Sequence, residues 1–159
     1  MSGDDTILAL AGLGKTGATA EAVAGRSNIF QMTATAEQAV LRPKDVGRWP
    51  HPLRAALAAR IAALNATDDL ARHYAGASGD FAALADPGND GTTHGFGPVI
   101  AHIDKVATRT KDVDAADITA LQEAGISDAD IVRLCELNAF LSYQLRVIAG
   151  LRLMTGESA

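Results

Sequence analysis

The chain has 159 residues, 48% of them hydrophobic and 21% charged, which suits one domain with its own core. Its net charge of -5 argues against a general nucleic-acid binder, which needs a basic face to displace counterions. Only 4% of the residues are aromatic, so the core is expected to use small and branched aliphatic side chains that let helices approach closely.

In chain order, "MSGDDTILALAGLGK" places acidic residues before a short apolar run. A secretory leader would begin basic and carry a longer apolar stretch, so a cytoplasmic protein is expected. "GLGKTG", from Gly12 to Gly17, echoes a phosphate loop. The full pattern needs a glycine where Ala9 stands, and it needs a preceding strand; a flexible helix boundary is the simpler reading. "TGATAEAVAGRS" and "NIFQMTATAEQAVLRP" suggest helices ended by Gly25 and Pro43. "RPKDVGRWPHP" is a loop because of its prolines and glycine. Pro52 then opens a helix in which Leu53, Leu57, Ile61 and Leu64 recur at helical spacing. Thr67 is placed to cap the next helix, whose positive end suits Asp68 and Asp69.

"DFAALA" suggests a short turn, and Asp86 to Gly97 is the longest loop. "PVIAHIDKVATRT" follows as a helix. Asp114 caps "DAADITALQEAG", and Gly125 stops it. Ser127, with Asp130 three residues on, starts a long helix in capping-box fashion. That helix is apolar on more than one face, as expected where the rest of the domain or another subunit covers it. No run reaches the ~18 apolar residues of a membrane span, and no strand pattern of length is present.

Two polar sets invite a functional reading. Asp69 and His73 are four apart, so a helix would bring carboxylate and imidazole onto one face as an acid/base pair. The competing reading is an ordinary surface pair. Tyr74 points about 100° away around the helix and is the weaker candidate. In the long helix, Glu136, Asn138, Ser142, Gln144 and Arg146 interrupt an apolar background, either bonding between helices or lining a pocket. Cys135 is the single cysteine, so no intramolecular disulfide forms; the reading is a packed thiol in a reducing compartment. His51 and His94 fall in loops and His102 near Asp104; no histidine spacing marks a metal site.

"PLRAALAARIAALNATDDLARHYAGA" and "DAADITALQEAGISDADIVRLCELNAFLSYQLRVIAGLRL" together resemble the alkylhydroperoxidase D-like, or carboxymuconolactone decarboxylase, superfamily. The second stretch resembles a branch in which "AGLSDADIV" leads into a long helix ending "RVxAGLR". The resemblance implies an all-helical fold that assembles as dimers, trimers or hexamers. Peroxidase members use C-x-x-C-x-x-x-H and an upstream glutamate. Aligned on His73, the cysteine places hold Ala66 and Asp69, and the glutamate place falls near Arg54. Decarboxylase members resemble E-W-x-x-H, to which "DLARH" corresponds with Asp69, Leu70 and His73.

The expectation is therefore an all-α, AhpD-like chain with residues 1–45 as a helical extension on a 46–159 core. It forms a homo-oligomer and acts on an unknown small molecule through catalytic His73 and Asp69, with no cofactor or metal. It binds no nucleic acid and no membrane. Two alternatives stand beside this: a peroxidase-related oxidoreductase drawing redox groups from a partner, and a non-catalytic oligomeric scaffold.

Overall fold

A computed structural model describes residues 5–156, and among these residues the chain is all-α, with no strand. The helices are α1 (Thr6–Leu10), α2 (Ala18–Ala24), α3 (Ser27–Leu41), α4 (His51–Leu64), α5 (Asp68–Ala75), α6 (Gly97–Thr108), α7 (Ala115–Glu123) and α8 (Asp128–Thr155). Short 3-10 segments at Gly79–Ala85, Thr92–His94 and Thr110–Asp112 join them.

The architecture is built around α4. Pro52 sits in its first turn, where its missing N–H is no loss. Every residue from Leu53 to Ala62 is buried. Five of these are alanines, and α3, α5, α6, α8 and the Gly79–Ala85 segment all pack on α4. A helix with apolar residues on all sides is stable only when covered on all sides. Small side chains let its neighbours close in.

Helix α8 is the second organiser. Its 28 residues span about 42 Å, and it touches α1, α2, α3, α4, α6 and α7. Ser127 Oγ accepts the Asp130 amide at 3.2 Å. The reciprocal half of the expected capping box is missing, because Asp130 instead accepts the Arg48 amide and pairs with Arg133. A complete box opens α7. Asp114 accepts the Ala116 amide at 2.9 Å, and Asp117 accepts the Asp114 amide at 2.8 Å. Asp117 also binds Lys105 at 2.7 Å, which ties α7 to α6.

Thr67 occupies the N-cap position of α5 but does not cap it. Its hydroxyl turns back to the Asn65 carbonyl at 3.2 Å. Ile7, Ala11 and Leu41, from the N-terminal part of the described chain, belong to the same buried cluster as α4 and α8. The "GLGKTG" segment follows a helix rather than the strand a phosphate loop requires. Among the described residues no helix is long and apolar enough to cross a membrane.

The long loop before α6 is held from inside by Arg60, which is 1% exposed. Its Nε and Nη2 grip Asp104 at 2.6 and 2.7 Å. Its remaining donors reach the carbonyls of Leu84, Asp86, Pro87 and Asn89. Gly91 completes the loop at φ 73°, where an added Cβ would fall 2.6 Å from Ile100 Cγ1. One guanidinium thus fixes a loop that carries little apolar surface of its own.

Arg60→Met should destabilise the protein by about 3–5 kcal/mol, because it strands Asp104 and the loop carbonyls without their donor. Asp104→Asn should cost less, since that side chain is 31% exposed and partly solvated. Urea unfolding of the two variants measures the difference.

Candidate functional site

Two hollows lie beside α5. The first, about 400 Å³, opens between α3, the start of α4 and the C-terminal half of α5. Its polar lining comes from Thr6, Glu37, Arg42, His51, His73 and Tyr74, and its apolar walls from Leu41, Pro52, Ala55 and Ala77. The second, about 430 Å³, is shallower and surrounds the start of α5, with Asp69, Arg72 and Arg152 among its lining.

The expected Asp69–His73 pair does not form. Asp69 lines the shallow hollow, and its Oδ2 pairs with Arg152 of α8. That guanidinium also donates to the Leu10 carbonyl at 2.7 Å. The other Asp69 oxygen accepts the Leu70 amide at 2.9 Å. A full cation and the positive end of α5 hold this carboxylate more strongly than an imidazole one turn away. His73 instead borders the deeper cavity, exposed at its rim, with its ring edge-on to Tyr74 at 4.9 Å.

Tyr74, the weaker candidate by sequence, is the buried member of this site. It is 5% exposed, and its hydroxyl donates to Gln144 Oε1 at 2.7 Å. Gln144 Nε2 donates to Glu37 Oε2 at 3.3 Å, and the Thr6 hydroxyl donates to Glu37 Oε1 at 2.9 Å. The chain Tyr74–Gln144–Glu37–Thr6 ties α5, α8, α3 and α1 together at the base of the cavity. Burial, and then the nearby Glu37 carboxylate, push the Tyr74 phenol well above its usual value.

Among the long helix's polar residues, Gln144 therefore bonds between helices as one of the two readings allowed. Asn138 does not, for its amide is buried with no partner among the described residues. His102 is also buried, with both ring nitrogens unpartnered, and burial lowers its basicity. Arg54, near the place of the family glutamate, is a structural cation. It donates to the carbonyls of Trp49, Val40 and Val46 at 2.8, 2.9 and 3.1 Å.

Several lining residues escaped sequence reasoning, among them Arg42, Glu37 and His51. Glu37 is one of many polar residues in a weakly periodic helix, with nothing local to mark it. His51 is exposed, as a loop-adjacent histidine should be, but it opens α4 and faces the cavity. Its Nε2 donates to the Pro43 carbonyl at 2.9 Å. Cys135 corrects the expectation of a packed thiol. It lies exposed on α8 and is not part of the cavity lining. Partial burial and the neighbouring Glu136 push its thiol up, away from the reactive thiolate. Among the described residues no group of three histidine, cysteine or carboxylate side chains is placed to hold a metal ion.

No family model, no curated protein and no solved structure matches this chain.

Tyr74→Phe should cost about 1–3 kcal/mol, because it leaves the buried Gln144 oxygen without a donor. The raised phenol has a second consequence. Below about pH 10 the tyrosine is neutral whether folded or unfolded. Above that pH the unfolded chain releases the proton and the folded chain keeps it, so stability falls as pH rises. Denaturant unfolding across the alkaline range should show this decline in the wild type and a shallower one in Tyr74→Phe.

Proposed function

We propose that this protein belongs to the alkylhydroperoxidase D-like, or carboxymuconolactone decarboxylase, superfamily and performs non-thiol acid/base chemistry on a small molecule. His73 is the general acid/base. Glu37, rather than Asp69, is the carboxylate beside the reacting molecule. The observation that carries this reading is the shared cavity of His73, Tyr74, Glu37 and His51, from which the chain's single cysteine is absent. Its volume of about 400 Å³ is of the size that holds a small organic molecule. An imidazole at the rim can exchange protons with solvent, while the bonded Glu37–Gln144–Tyr74 row keeps the base of the cavity rigid. Preorganised polar groups of this kind are what proton transfer in a pocket needs.

The thiol-peroxidase alternative has less support. Dithiol chemistry needs an attacking thiolate and a resolving thiol, and one exposed, weakly acidic cysteine per chain supplies neither. The single cysteine also suits the reducing, cytoplasmic setting that forms part of the same proposal.

The proposal is tested by incubating the protein in D2O with a panel of carboxylated lactones, small oxo acids and small aminocarboxylates. NMR then follows C–H exchange and loss of carbon dioxide. Activity should disappear in His73→Ala, persist within about threefold in Cys135→Ser, and fall less in Asp69→Asn than in Glu37→Gln. A peroxide-reducing activity abolished by Cys135→Ser in a folded protein would overturn the reading.

A homo-oligomer is part of the same proposal. Its support is the exposure of Met32 on α3 and of Val132, Tyr143, Leu153 and Met154 on α8, large side chains that the described residues leave uncovered. Light scattering at micromolar concentration should report at least two chains; a monomer would remove this part.

A further inference from the structure

The charges around the deeper cavity are arranged with opposite signs on different parts of its wall. The carboxylate of Glu37 is held by two neutral donors, the Thr6 hydroxyl and the Gln144 amide, and has no cationic partner among the described residues. Beside it, the Tyr74 hydroxyl spends its proton on Gln144, so its remaining lone pair can only accept. That region of the cavity asks for hydrogen-bond donors. The fixed charge of the other sign in the lining is Arg42. Arg42 lines the same cavity with no salt-bridge partner among the described residues. The first turn of α4 adds the positive end of a helix at His51, although Pro52 has no N–H to offer, so Arg42 is the main cationic group there. Glu37 lies in the last turns of α3 and Arg42 at its C-cap, and both line the cavity.

We propose that the ligand of this site is a small zwitterion of the aminocarboxylate class. Its ammonium group sits against Glu37 and Tyr74, and its carboxylate against Arg42 and the start of α4. A plain amine would meet the Arg42 guanidinium uncompensated, and a plain carboxylate would meet Glu37; only a molecule bearing both charges satisfies both ends. Its short aliphatic middle would lie along Leu41 and Ala55. This ligand class rests on the reading of the cavity as a small-molecule site, but it does not depend on His73 acting in proton transfer.

Calorimetry with γ-aminobutyrate, butylamine and butyrate tests the proposal on the full chain. γ-Aminobutyrate should bind about tenfold or more tightly than either single-ended analogue. Glu37→Gln keeps the shape, and its amide can still accept from Gln144 while the Thr6 hydroxyl turns to accept in its place. This variant should weaken γ-aminobutyrate about tenfold and erase its advantage over butyrate. Arg42→Met should erase its advantage over butylamine. In the wild type, NMR shifts on adding γ-aminobutyrate should centre on Glu37, Thr6 and Arg42, a readout that holds even where a variant fails to fold.

Equal binding of the three compounds, undetectable binding at ~10 mM, unchanged affinity in folded Glu37→Gln, or shifts confined to other surfaces would each overturn the proposal. Loss of His73-dependent exchange with zwitterion binding intact would sink the catalytic reading alone. Failure of zwitterion binding with that exchange intact would sink this inference alone.

Discussion

A helix without a solvated side must find partners inside the protein for every polar group it carries, and α4 carries two arginines. Arg54 and Arg60 are 2% and 1% exposed. Burying such groups is tolerable only when their donors are matched, and the chain matches them mostly with backbone carbonyls. Arg54 takes two from the α3–α4 connection and one from the last turn of α3, and Arg60 takes three from the loop before α6 and one from the Gly79–Ala85 segment in addition to Asp104. The α3–α4 connection buries Trp49 but no other side chain, and the loop before α6 is poorer still in apolar groups, so hydrophobic burial alone gives them little reason to adopt one shape. The guanidinium forks supply that reason. The cost of burying the cations and the disorder of the loops are resolved together.

The deeper cavity is a consequence of the Arg54 arrangement. By holding the Val40, Val46 and Trp49 carbonyls, Arg54 sets how α3 ends and how α4 begins. Glu37 and Arg42 from the end of α3 and His51 and Pro52 from the start of α4 then line one cavity with His73, Tyr74 and Ala77. The Thr6–Glu37–Gln144–Tyr74 row then fastens four helices at the base of the cavity. Each bond in the row has a neutral partner on at least one side, so the carboxylate is held without being neutralised. A wall that is rigid and still charged is suited to binding. Asp69, neutralised by Arg152, is suited to fastening α8 onto α5.

The fold was legible in the sequence to a useful degree, because its signals are local. Pro52 at the start of α4, Asp114 before α7, Ser127 before α8, and Gly125 after α7 each act on the backbone within a turn of themselves. The periodic leucines of α4 and the long apolar run of α8 needed no knowledge of their partners. Where local signals misled, a competing local bond won. Thr67 turned to Asn65, and Asp130 turned to the Arg48 amide 82 positions away rather than completing its own box. The site was far less legible. His73 stands out through its neighbourhood in sequence, but the nearest carboxylate along its helix, Asp69, pairs with Arg152 instead. The carboxylate that shares its cavity comes from α3, 36 positions earlier in the chain.

The sequence alone determined the helical class, the helix stops and starts, the acidic balance and the absence of a second cysteine. These depend on residue type and spacing within one or two turns, where backbone geometry leaves few choices. Only the tertiary structure decided that Asp69 belongs to Arg152, that Tyr74 is buried beside Glu37 through Gln144, and that His51 and His73 open on one cavity. A helix presents side chains all around its axis. Spacing says which of them lie near one another on that helix, but the neighbouring helix decides which of them it faces. In a chain whose core is largely alanine and leucine, many helix pairings are similarly favourable by area. The buried arginines and the Glu37–Gln144–Tyr74 row are directional, so their bonds can be satisfied together only in a far smaller set of arrangements, and they select among those pairings.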